Sequence, residues 1–410
     1  MRIAYMTSEY PRATDTFIQR EIEALRLNGA EVYTFSIRRT GDEHIVGPEQ
    51  QKERDNTFYV LPPNILRLLL SHLTLLFTAP GRYFKTIVLA WSTRRYGVMG
   101  TIYQLFYFLE AGVIAQEIRQ KDIQHLHNHF GDSSCSVAML ASSLGGFTYS
   151  FSLHGPYIFF NPYGWRLDEK IKRALFVSCI SHYCRSQGMI LGAIDNWSKM
   201  YIVHCGVDPD LYELVPHAGL GLRLLYLGRL AGVKGLPILF ESIASLKTIF
   251  PDLVLNLVGD GEERAKLEAM VTELDIVNNV QFLGYQSQAE VRKRLQATDI
   301  YVLPSFAEGI SVSLMEAMAA GVPVVTTQIA GVNELVDNGI SGYIVPAGDA
   351  ISLTDKLKRL ITDPELRNTM GKAGRLKVET EFNLNLEANW LAKIMREYLS
   401  GKPDLPSPRY

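Results

Sequence analysis

The chain has 410 residues and a formal net charge of −2, with 47% hydrophobic and 20% charged residues. This composition describes an ordinary globular protein, and it argues against extensive disorder and against a nucleic-acid partner. The length favours two domains of roughly 200 residues each. The four cysteines show neither metal-ligand nor disulfide spacing, which fits a reducing compartment.

The first part of the chain alternates between strand-like and helix-like segments. Strands are predicted at residues 3–7 and 31–36, with a helix at residues 16–27 between them, and the strand pattern resumes at residues 149–153 and 175–180. The N-terminal sequence predicts a buried strand and shows no signal-peptide pattern, so we expect a cytoplasmic protein.

Residues 56–109 form a basic aromatic region. This region contains no Asp or Glu, whereas Arg67, Arg82, Lys85, Arg94 and Arg95 are basic and most of the remainder is apolar. Its longest apolar stretch, near residues 68–79, is too short to span about 30 Å of hydrocarbon. A surface that combines apolar side chains with cations can instead lie on an anionic membrane. We therefore expect peripheral contact with the inner face of the plasma membrane, and the alternative is two core helices with incidental arginines.

His125, His127 and His129 alternate along the chain and could share one face of a strand. Such spacing can suit a metal ion, but no carboxylate or cysteine cluster in the sequence completes a ligand set. We therefore expect these histidines to line the core or a cleft, and we expect no metal site.

The second part of the chain alternates more regularly. Strands are predicted at residues 223–227, 253–258, 280–283, 300–303 and 322–326, with helices between them at residues 236–250, 262–274, 289–297 and 314–320. This alternation specifies a parallel sheet that binds ligands at the carboxyl ends of its strands.

A Gly-Pro bend near residue 206 predicts the division between domains at residues 1–205 and 206–383. A C-terminal helix at residues 384–400 is expected to pack back on the first domain. A loose tail is expected at residues 401–410.

A glycine-containing loop, Gly228 to Gly235, follows the strand at residues 223–227 and carries Arg229 and Lys234. Glycines let a backbone approach a ligand, Arg can bind phosphate oxygens bidentately, and Lys adds a compact charge. The loop therefore suits a diphosphate, and the alternative is a surface loop with two solvated cations.

Glu308 and Glu316 lie where the strand at residues 300–303 gives way to a helix. Free N–H groups at the start of that helix favour an anion such as a phosphate, whereas carboxylates accept hydrogen bonds from sugar hydroxyls. In the alternative, Ser313 and Glu316 form a capping box, which would explain Glu316 without a ligand.

These motifs together resemble the retaining GT-B glycosyltransferases of family 4. The matching features are the Glu308/Glu316 spacing, Gly228-Arg229 with Lys234, and the segments at residues 258–261, 282–284 and 316–325. The resemblance covers nearly the whole chain and is strongest between residues 204 and 346. The sequence around Glu308 and the His127-x-His129-Phe130 segment are most similar to members that build bacterial exopolysaccharides, including colanic acid.

The resemblance implies an α/β GT-B fold, with two Rossmann-like domains whose parallel sheets face a central cleft. It implies a retaining hexosyltransferase that moves a hexose from a nucleotide diphosphate sugar to a polysaccharide or a lipid-linked oligosaccharide. The N-terminal domain would be on the acceptor side and the C-terminal domain would bind the donor. No cofactor and no metal are implied.

The resemblance also implies roles for individual residues. Arg229 and Lys234 would stabilise the departing diphosphate, Glu308 would hold the transferred sugar, and Glu316 would accept hydrogen bonds from the ribose. His154 would reach toward the sugar from the N-terminal domain, and it completes a catalytic set of His154, Arg229, Lys234 and Glu308. The implied donor-binding residues are Gly228, Arg229, Lys234, Gly259, Glu308, Gly309, Ile310, Ser311, Val312, Leu314 and Glu316.

One segment departs from the family pattern. Many relatives carry a Gly-Gly loop after the first strand, whereas this chain has the segment from Ser8 to Phe17. We expect this segment to face the acceptor, with Asp15 and Thr16 as acceptor-side candidates. Capping of the following helix is the alternative for Asp15.

Alternatives to this mechanism and function stay open at this point. Two carboxylates could support a double displacement, whereas the resemblance favours a front-face route in which the departing diphosphate takes the acceptor proton. A nucleotide-sugar 2-epimerase of the same architecture and a non-catalytic polysaccharide-assembly subunit are the alternative functions. The Arg229/Lys234 loop and the paired glutamates favour transfer.

Overall fold

The computed structural model describes residues 1–214, 216–401 and 403–405, so most of the predicted tail lies outside the described residues. The chain divides into two units. The first comprises Met1–His204 and the described residues from Ala388 onward, and the second comprises Cys205–Glu387. Each unit holds a parallel sheet flanked by helices, which confirms the predicted α/β class.

The sheet of the first unit has seven parallel strands in the order β3-β2-β1-β4-β5-β6-β7. The strand order reverses between the neighbours β1 and β4, where Ile3 pairs with Val32 on one side and His125 on the other. The strands are β1 (Arg2–Glu9), β2 (Glu31–Arg38), β3 (Phe58–Tyr59), β4 (His125–His129), β5 (Thr148–Leu153), β6 (Val177–Cys179) and β7 (Met200–Ile202).

The helices of the first unit connect these strands. They are α1 (Thr16–Leu27), α2 (Pro48–Asn56), α3 (Ile65–Thr78), α4 (Pro80–Thr93), α5 (Val98–Gln120), α6 (Ser133–Gly145), α7 (Leu167–Arg173) and α8 (His182–Leu191).

The basic aromatic region contains β3, α3, α4 and the first part of α5. His72 on α3 ties the three helices together, because Nδ1 lies 3.0 Å from the Tyr83 hydroxyl and Nε2 lies 3.1 Å from the Leu109 carbonyl oxygen. By length and composition α5 could cross a membrane, although 44% of its most apolar window is buried inside the protein. The expectation that no helix is long enough to span a membrane rested on the shorter stretch at residues 68–79 and did not take α5 into account.

The second unit holds a six-stranded parallel sheet in the order β10-β9-β8-β11-β12-β13. Its strands are β8 (Arg223–Leu227), β9 (Val254–Val258), β10 (Val280–Phe282), β11 (Ile300–Leu303), β12 (Val324–Thr327) and β13 (Gly342–Val345). The following helices are α9 (Leu236–Leu246), α10 (Arg264–Glu273), α11 (Gln288–Gln296), α12 (Val312–Ala319), α13 (Val332–Leu335), α14 (Ala350–Thr362), α15 (Pro364–Glu381) and α16 (Leu384–Leu399). In this sheet the strand order reverses between β8 and β11.

The C-terminal helix α16 begins in the second unit and contributes to the core of the first. Leu391, Ile394 and Met395 are fully buried in a cluster that also contains Ile3 and Tyr5. The helix is also fixed by a hydrogen bond from Trp390 Nε1 to the carbonyl oxygen of Ile202 at 3.0 Å. Burial of each such aliphatic side chain contributes about 1.5–3 kcal/mol, so this helix is part of the stable core of the first unit.

Candidate active site

The candidate site of the second unit lies at the carboxyl ends of β8 and β11. In parallel α/β sheets, ligands bind in the crevice where the strand order reverses, and β8 and β11 are the neighbours at that point. The loop after β8 carries Arg229 and Lys234, and the loop after β11 carries Glu308. The two loops touch, because the Phe306 N–H donates to the Val233 carbonyl oxygen at 2.8 Å.

Two glycines allow the loops at this edge to approach one another. Gly235 has a φ of +65°, and a Cβ there would lie 2.1 Å from the Pro304 carbonyl oxygen. Gly259, after β9, has a φ of +127°, and its Cβ would lie 2.0 Å from the Gly228 carbonyl oxygen. Only a residue without Cβ fits either position, so glycine here sets the spacing of the strand-end loops.

Lys234 and Glu308 form an ion pair in this crevice. Lys234 Nζ lies 2.5 Å from Glu308 Oε1, and the Ser305 hydroxyl donates to the same oxygen at 2.7 Å. The two side chains are only 19% and 11% exposed, so solvent screens their attraction weakly. Oε2 of Glu308 accepts no hydrogen bond from the described residues. It is therefore the oxygen of this carboxylate that can accept from a ligand hydroxyl.

Glu316 is buried on α12, and the Tyr212 hydroxyl donates to its Oε1 at 3.2 Å. The alternative capping box of Ser313 and Glu316 is wrong. The helix begins at Val312 after Ser311, so Ser313 lies inside the first turn. The Ser313 hydroxyl instead accepts a hydrogen bond from Tyr301 at 2.6 Å. Burial raises the pKa of Tyr301, which keeps this phenol protonated as a donor.

The other predicted donor-binding residues border the same crevice. Arg229 is exposed and donates no hydrogen bond within the described ranges. Ile310 and Ser311 are buried, and the Gly309 carbonyl oxygen accepts from the Gly331 N–H at 3.2 Å. Ser311 occupies the N-cap position of α12 without a side-chain cap, and Val312 and Leu314 lie in the first turn. The structure thus gathers the donor-binding candidates of the second unit at one edge of its sheet.

His154 follows β5 in the first unit and is buried. Its Nε2 lies 3.1 Å from His129 Nδ1, and His129 Nε2 lies 3.1 Å from Glu21 Oε1. The rings of Phe130 and Phe17 lie 4.8 Å and 5.1 Å from the His154 ring, measured between centroids. Burial lowers the pKa of His154 well below its ordinary value, so the imidazole is neutral at neutral pH.

The histidines of β4 make hydrogen bonds to hydroxyl groups and to Glu21. His127 lies 2.7 Å from Ser150 Oγ and 2.9 Å from Ser152 Oγ. The expectation that no carboxylate accompanies these histidines was wrong, because Glu21 comes from α1, far away in sequence. The potential ligand atoms of Glu21, His127 and His129 lie within 4.8 Å of one another. Burial lowers the pKa of His127 well below its ordinary value.

The acceptor-side candidates Asp15 and Thr16 lie at the start of α1, next to Phe17 and therefore near His154. Asp15 occupies the N-cap position, but its side chain does not cap the helix, so the capping alternative is wrong. Its carboxylate instead accepts from the Thr14 hydroxyl at 3.2 Å and lies 3.7 Å from Arg12 Nε. Burial raises the pKa of Asp15.

Sequence reasoning missed Glu21, Tyr212 and Ser305. Glu21 and Tyr212 each lie more than 100 residues from their site partners, so no local motif joins them. Ser305 stands three residues before Glu308, a short-range signal that could have been found.

Comparison with known proteins identifies the domain that carries this site. Residues 221–377 match the family described as Glycosyl transferases group 1. The chain is 34% identical to the amylovoran biosynthesis glycosyltransferase AmsK of Erwinia amylovora over 48% of its length, and the match spans only 50% of AmsK. It is 25% identical over 97% of its length to the whole of WcaL, a glycosyltransferase of Salmonella typhimurium named for colanic acid biosynthesis.

Solved structures show the same architecture. Anabaena Alr3699/HepE in complex with UDP and glucose has a TM-score of 0.74 and 17% identity, over 97% of this chain and 99% of HepE. HepE in complex with UDP-glucose has a TM-score of 0.72 and 18% identity, over 97% and 99% of the two chains. The chain therefore has the GT-B fold and contains a glycosyl transferases group 1 domain at residues 221–377.

Proposed function

We propose that the chain is a retaining hexosyltransferase of exopolysaccharide synthesis, moving a hexose from a nucleotide diphosphate sugar to a polysaccharide or lipid-linked acceptor. The observation that carries this proposal is the Lys234–Glu308 ion pair, which lies where the strand order of the second sheet reverses between β8 and β11. The relatives named for amylovoran and colanic acid biosynthesis support the pathway class. The UDP and UDP-glucose complexes of HepE support a nucleotide sugar as donor.

The cations of the β8 loop supply the charge stabilisation that the reaction needs. As the bond between the anomeric carbon and the diphosphate oxygen breaks, negative charge grows on the diphosphate. Lys234 has three donors, so it can hold Glu308 and still donate to a phosphate oxygen, and exposed Arg229 can add a bidentate contact. Fixed cations aimed at developing charge are an effective source of catalysis, and here they take the place of a metal ion.

Glu308 holds the transferred sugar through Oε2, because Oε1 is already occupied by Lys234 and Ser305. The ion pair makes this carboxylate a weak nucleophile, which favours a front-face reaction over a double displacement. The acceptor oxygen bonds to the anomeric carbon on the face that the diphosphate leaves, and the diphosphate takes the acceptor proton. Glu316, held by Tyr212, accepts from the ribose hydroxyls.

The exposed face of α3, α4 and α5 supports peripheral binding to an anionic membrane. Residues 65–106 carry 17 of the 34 exposed large apolar side chains of the described residues, including Phe77 at 79% and Trp91 at 61% exposure. Arg82 and Lys85 lie exposed on the same helices, and the Arg94 guanidinium packs 3.7 Å from the centroid of the Trp91 ring. Apolar area together with cations, without carboxylates at residues 56–109, fits an anionic lipid surface on the cytoplasmic side of the membrane.

Thermal-shift measurements with a panel of nucleotide sugars test the proposed function. A ligand at 100 times its Kd stabilises the folded protein by about 2.7 kcal/mol, so the correct donor is expected to raise the Tm. Product analysis with a saccharide acceptor is expected to show the donor's anomeric configuration, with equal rates in chelator. Conversion of the nucleotide sugar without an acceptor would instead identify an epimerase. Absence of both binding and turnover would identify an assembly subunit.

A further inference from the structure

A partly open cavity lies in the first unit between the segment that follows β3 and the helices α3 and α5. Its volume is about 60 Å³, and Leu61, Pro62, Leu68 and Val113 form part of its apolar lining. By volume it holds about four to six water-sized groups. It therefore has room for a short charged chain but not for a hexose ring.

Glu110 on α5 places a carboxyl group at this cavity. The carboxyl makes no hydrogen bond and no ion pair with the residues that the structure describes. The Tyr59 hydroxyl, which belongs to the same lining, donates instead to the Tyr10 carbonyl oxygen at 3.1 Å. Burial raises the pKa of Glu110 to about 7, and the charge of Arg38 partly opposes this rise. An unpaired carboxylate away from water is costly, so a ligand cation that donates hydrogen bonds to it would bind favourably.

Arg67 on α3 brings a cation to the same cavity. Its guanidinium forms an ion pair with Glu117 and lies 4.3 Å from the centroid of the Phe58 ring, so its position is fixed. The side chain is still 45% exposed, and a guanidinium carries five N–H donors, so Arg67 can also bind a phosphate oxygen. The cavity thus offers an acceptor for a cation and a donor for an anion, a combination that fits a zwitterion.

The cavity borders the exposed apolar face of α3. Arg67 and Leu68 line the cavity, and the adjacent side chains of Ile65, Leu66 and Leu69 are 72%, 67% and 53% exposed. A molecule with apolar tails against this face can place a short headgroup in the cavity. Apolar tails and a zwitterionic headgroup together describe a phospholipid.

We propose that the cavity binds the headgroup of a phospholipid with a primary ammonium, such as phosphatidylethanolamine, with the ammonium on Glu110 and the phosphate on Arg67. This inference rests on the membrane contact put forward in the proposed function and adds to it a preference for one zwitterionic lipid. A primary ammonium has three N–H donors for the carboxylate. The quaternary ammonium of a choline lipid has no N–H donor and is bulkier, so it is expected to bind poorly.

Sedimentation with two kinds of vesicle tests this preference at pH 8, where Glu110 is ionised. Both kinds contain the same fraction of phosphatidylglycerol, and the remainder is either phosphatidylethanolamine or phosphatidylcholine, so their surface charge is equal. The wild type is expected to bind the ethanolamine vesicles roughly tenfold more tightly, the scale of one hydrogen bond between charged groups.

Glu110→Gln is expected to bind both kinds of vesicle equally, because the neutral amide cannot pair with an ammonium ion. Glu49→Gln removes the same charge from an exposed position on α2 and is expected to keep the preference. Looser lipid packing in the ethanolamine vesicles acts on all three proteins alike, so it cannot produce this difference. Equal binding of the wild type to both kinds of vesicle, or a preference that persists in Glu110→Gln, would overturn the proposal.

The soluble headgroup glycerophosphoethanolamine separates the cavity from the membrane. Isothermal titration calorimetry of the full-length wild type at millimolar ligand is expected to show binding of this compound and not of glycerophosphocholine, and Glu110→Gln is expected to abolish it. If the soluble headgroup binds but no vesicle does, the proposed membrane contact fails and the cavity proposal stands. If vesicles bind without a lipid preference, the membrane contact stands and the cavity proposal fails.

Discussion

Lys234 and Glu308, 74 positions apart, share a hydrogen bond of 2.5 Å between Nζ and Oε1. The cation predicted to bind the diphosphate and the carboxylate predicted to bind the sugar are therefore partners of one another. Each holds the other in place before a ligand arrives, so neither side chain has to be immobilised by the donor. Preorganisation of this kind lowers the entropic cost of binding.

Lys234→Ala is expected to lower kcat/KM for transfer roughly 10²- to 10³-fold, because it removes a fixed cation aimed at the departing diphosphate. Steady-state release of the nucleoside diphosphate measures the effect. Lys247→Ala is the matched control, since Lys247 lies in the same unit and pairs at 2.9 Å with the exposed Asp275. Equal rates for the two variants would exclude Lys234 from the reaction.

Tyr212→Phe is expected to weaken binding of the nucleoside diphosphate about fivefold. The change removes the phenol that orients Glu316, and one hydrogen bond contributes about 1 kcal/mol. Isothermal titration calorimetry gives the Kd directly. Tyr343→Phe is the control, because Tyr343 is buried on β13 and its hydroxyl makes no hydrogen bond within the described part of the chain. An unchanged Kd in Tyr212→Phe would argue against a role of Glu316 in ribose binding.

Gly235→Ala is expected to destabilise the protein more than Gly339→Ala. Both glycines have positive φ, +65° and +81°, which costs an L-residue about 1–2 kcal/mol. At Gly339 no atom lies within 4 Å of the new Cβ, whereas at Gly235 it would meet the Pro304 carbonyl oxygen. That clash adds about 1–3 kcal/mol and displaces Lys234 from Glu308. Thermal unfolding measures the difference, and equal Tm values would contradict the close approach of the two loops.

Wild-type protein is expected to pellet with anionic liposomes and much less with neutral ones, because each cation near an anionic surface contributes about 1 kcal/mol. Trp91→Glu is expected to reduce pelleting, since it places a negative charge in the exposed face of α4. Phe160→Glu is the control, because Phe160 is 72% exposed but lies outside these helices. If neutral and anionic liposomes bind the protein equally, the electrostatic part of the membrane proposal is wrong.

Glu110 on α5 is expected to make stability depend on pH. Burial raises the pKa of this carboxyl from 4.5 to about 7, an effect that Arg38 partly opposes. The native protein therefore holds a proton that the unfolded chain releases, and stability falls as pH rises from about 4.5 to 7.

Glu110→Gln removes this titration. The stability of the wild type relative to the variant is expected to decrease by about 2 kcal/mol between pH 4.5 and pH 8, after allowance for solvent screening. Urea denaturation of both proteins at the two pH values measures the change. Parallel pH profiles for wild type and variant would show that Glu110 ionises normally.

Much of the fold follows from local patterns in the sequence. The predicted bounds of β8, β11 and α1 agree with the structure, because a glycine, proline or charged residue marks each end and the apolar period is regular between them. The alternation of strands and helices also led to a parallel sheet. Ligands bind at the carboxyl ends of the strands in such sheets, and this rule predicted that the loops carrying Lys234 and Glu308 lie at one edge of the sheet.

The partners of the site side chains could not be predicted in the same way. Glu21 meets His129 across 108 positions, and Tyr212 meets Glu316 across 104. No local period encodes these contacts, since they depend on how helices and loops pack over the sheet. At Ser313, by contrast, a local pattern predicted a contact that the structure does not contain. Its spacing to Glu316 matches a capping box, but the helix starts one residue before Ser313 and Tyr301 binds its hydroxyl.

The path of α16 decides how the protein can be divided into fragments. The segment Cys205–Glu387 is one continuous stretch of chain, so it is a candidate for separate expression. A fragment that ends at His204 would lack Trp390, Leu391 and Met395 and would expose the apolar surface that they cover on the first sheet. The two units are therefore unequal as fragments: the second can be cut out whole, whereas the first needs both ends of the polypeptide.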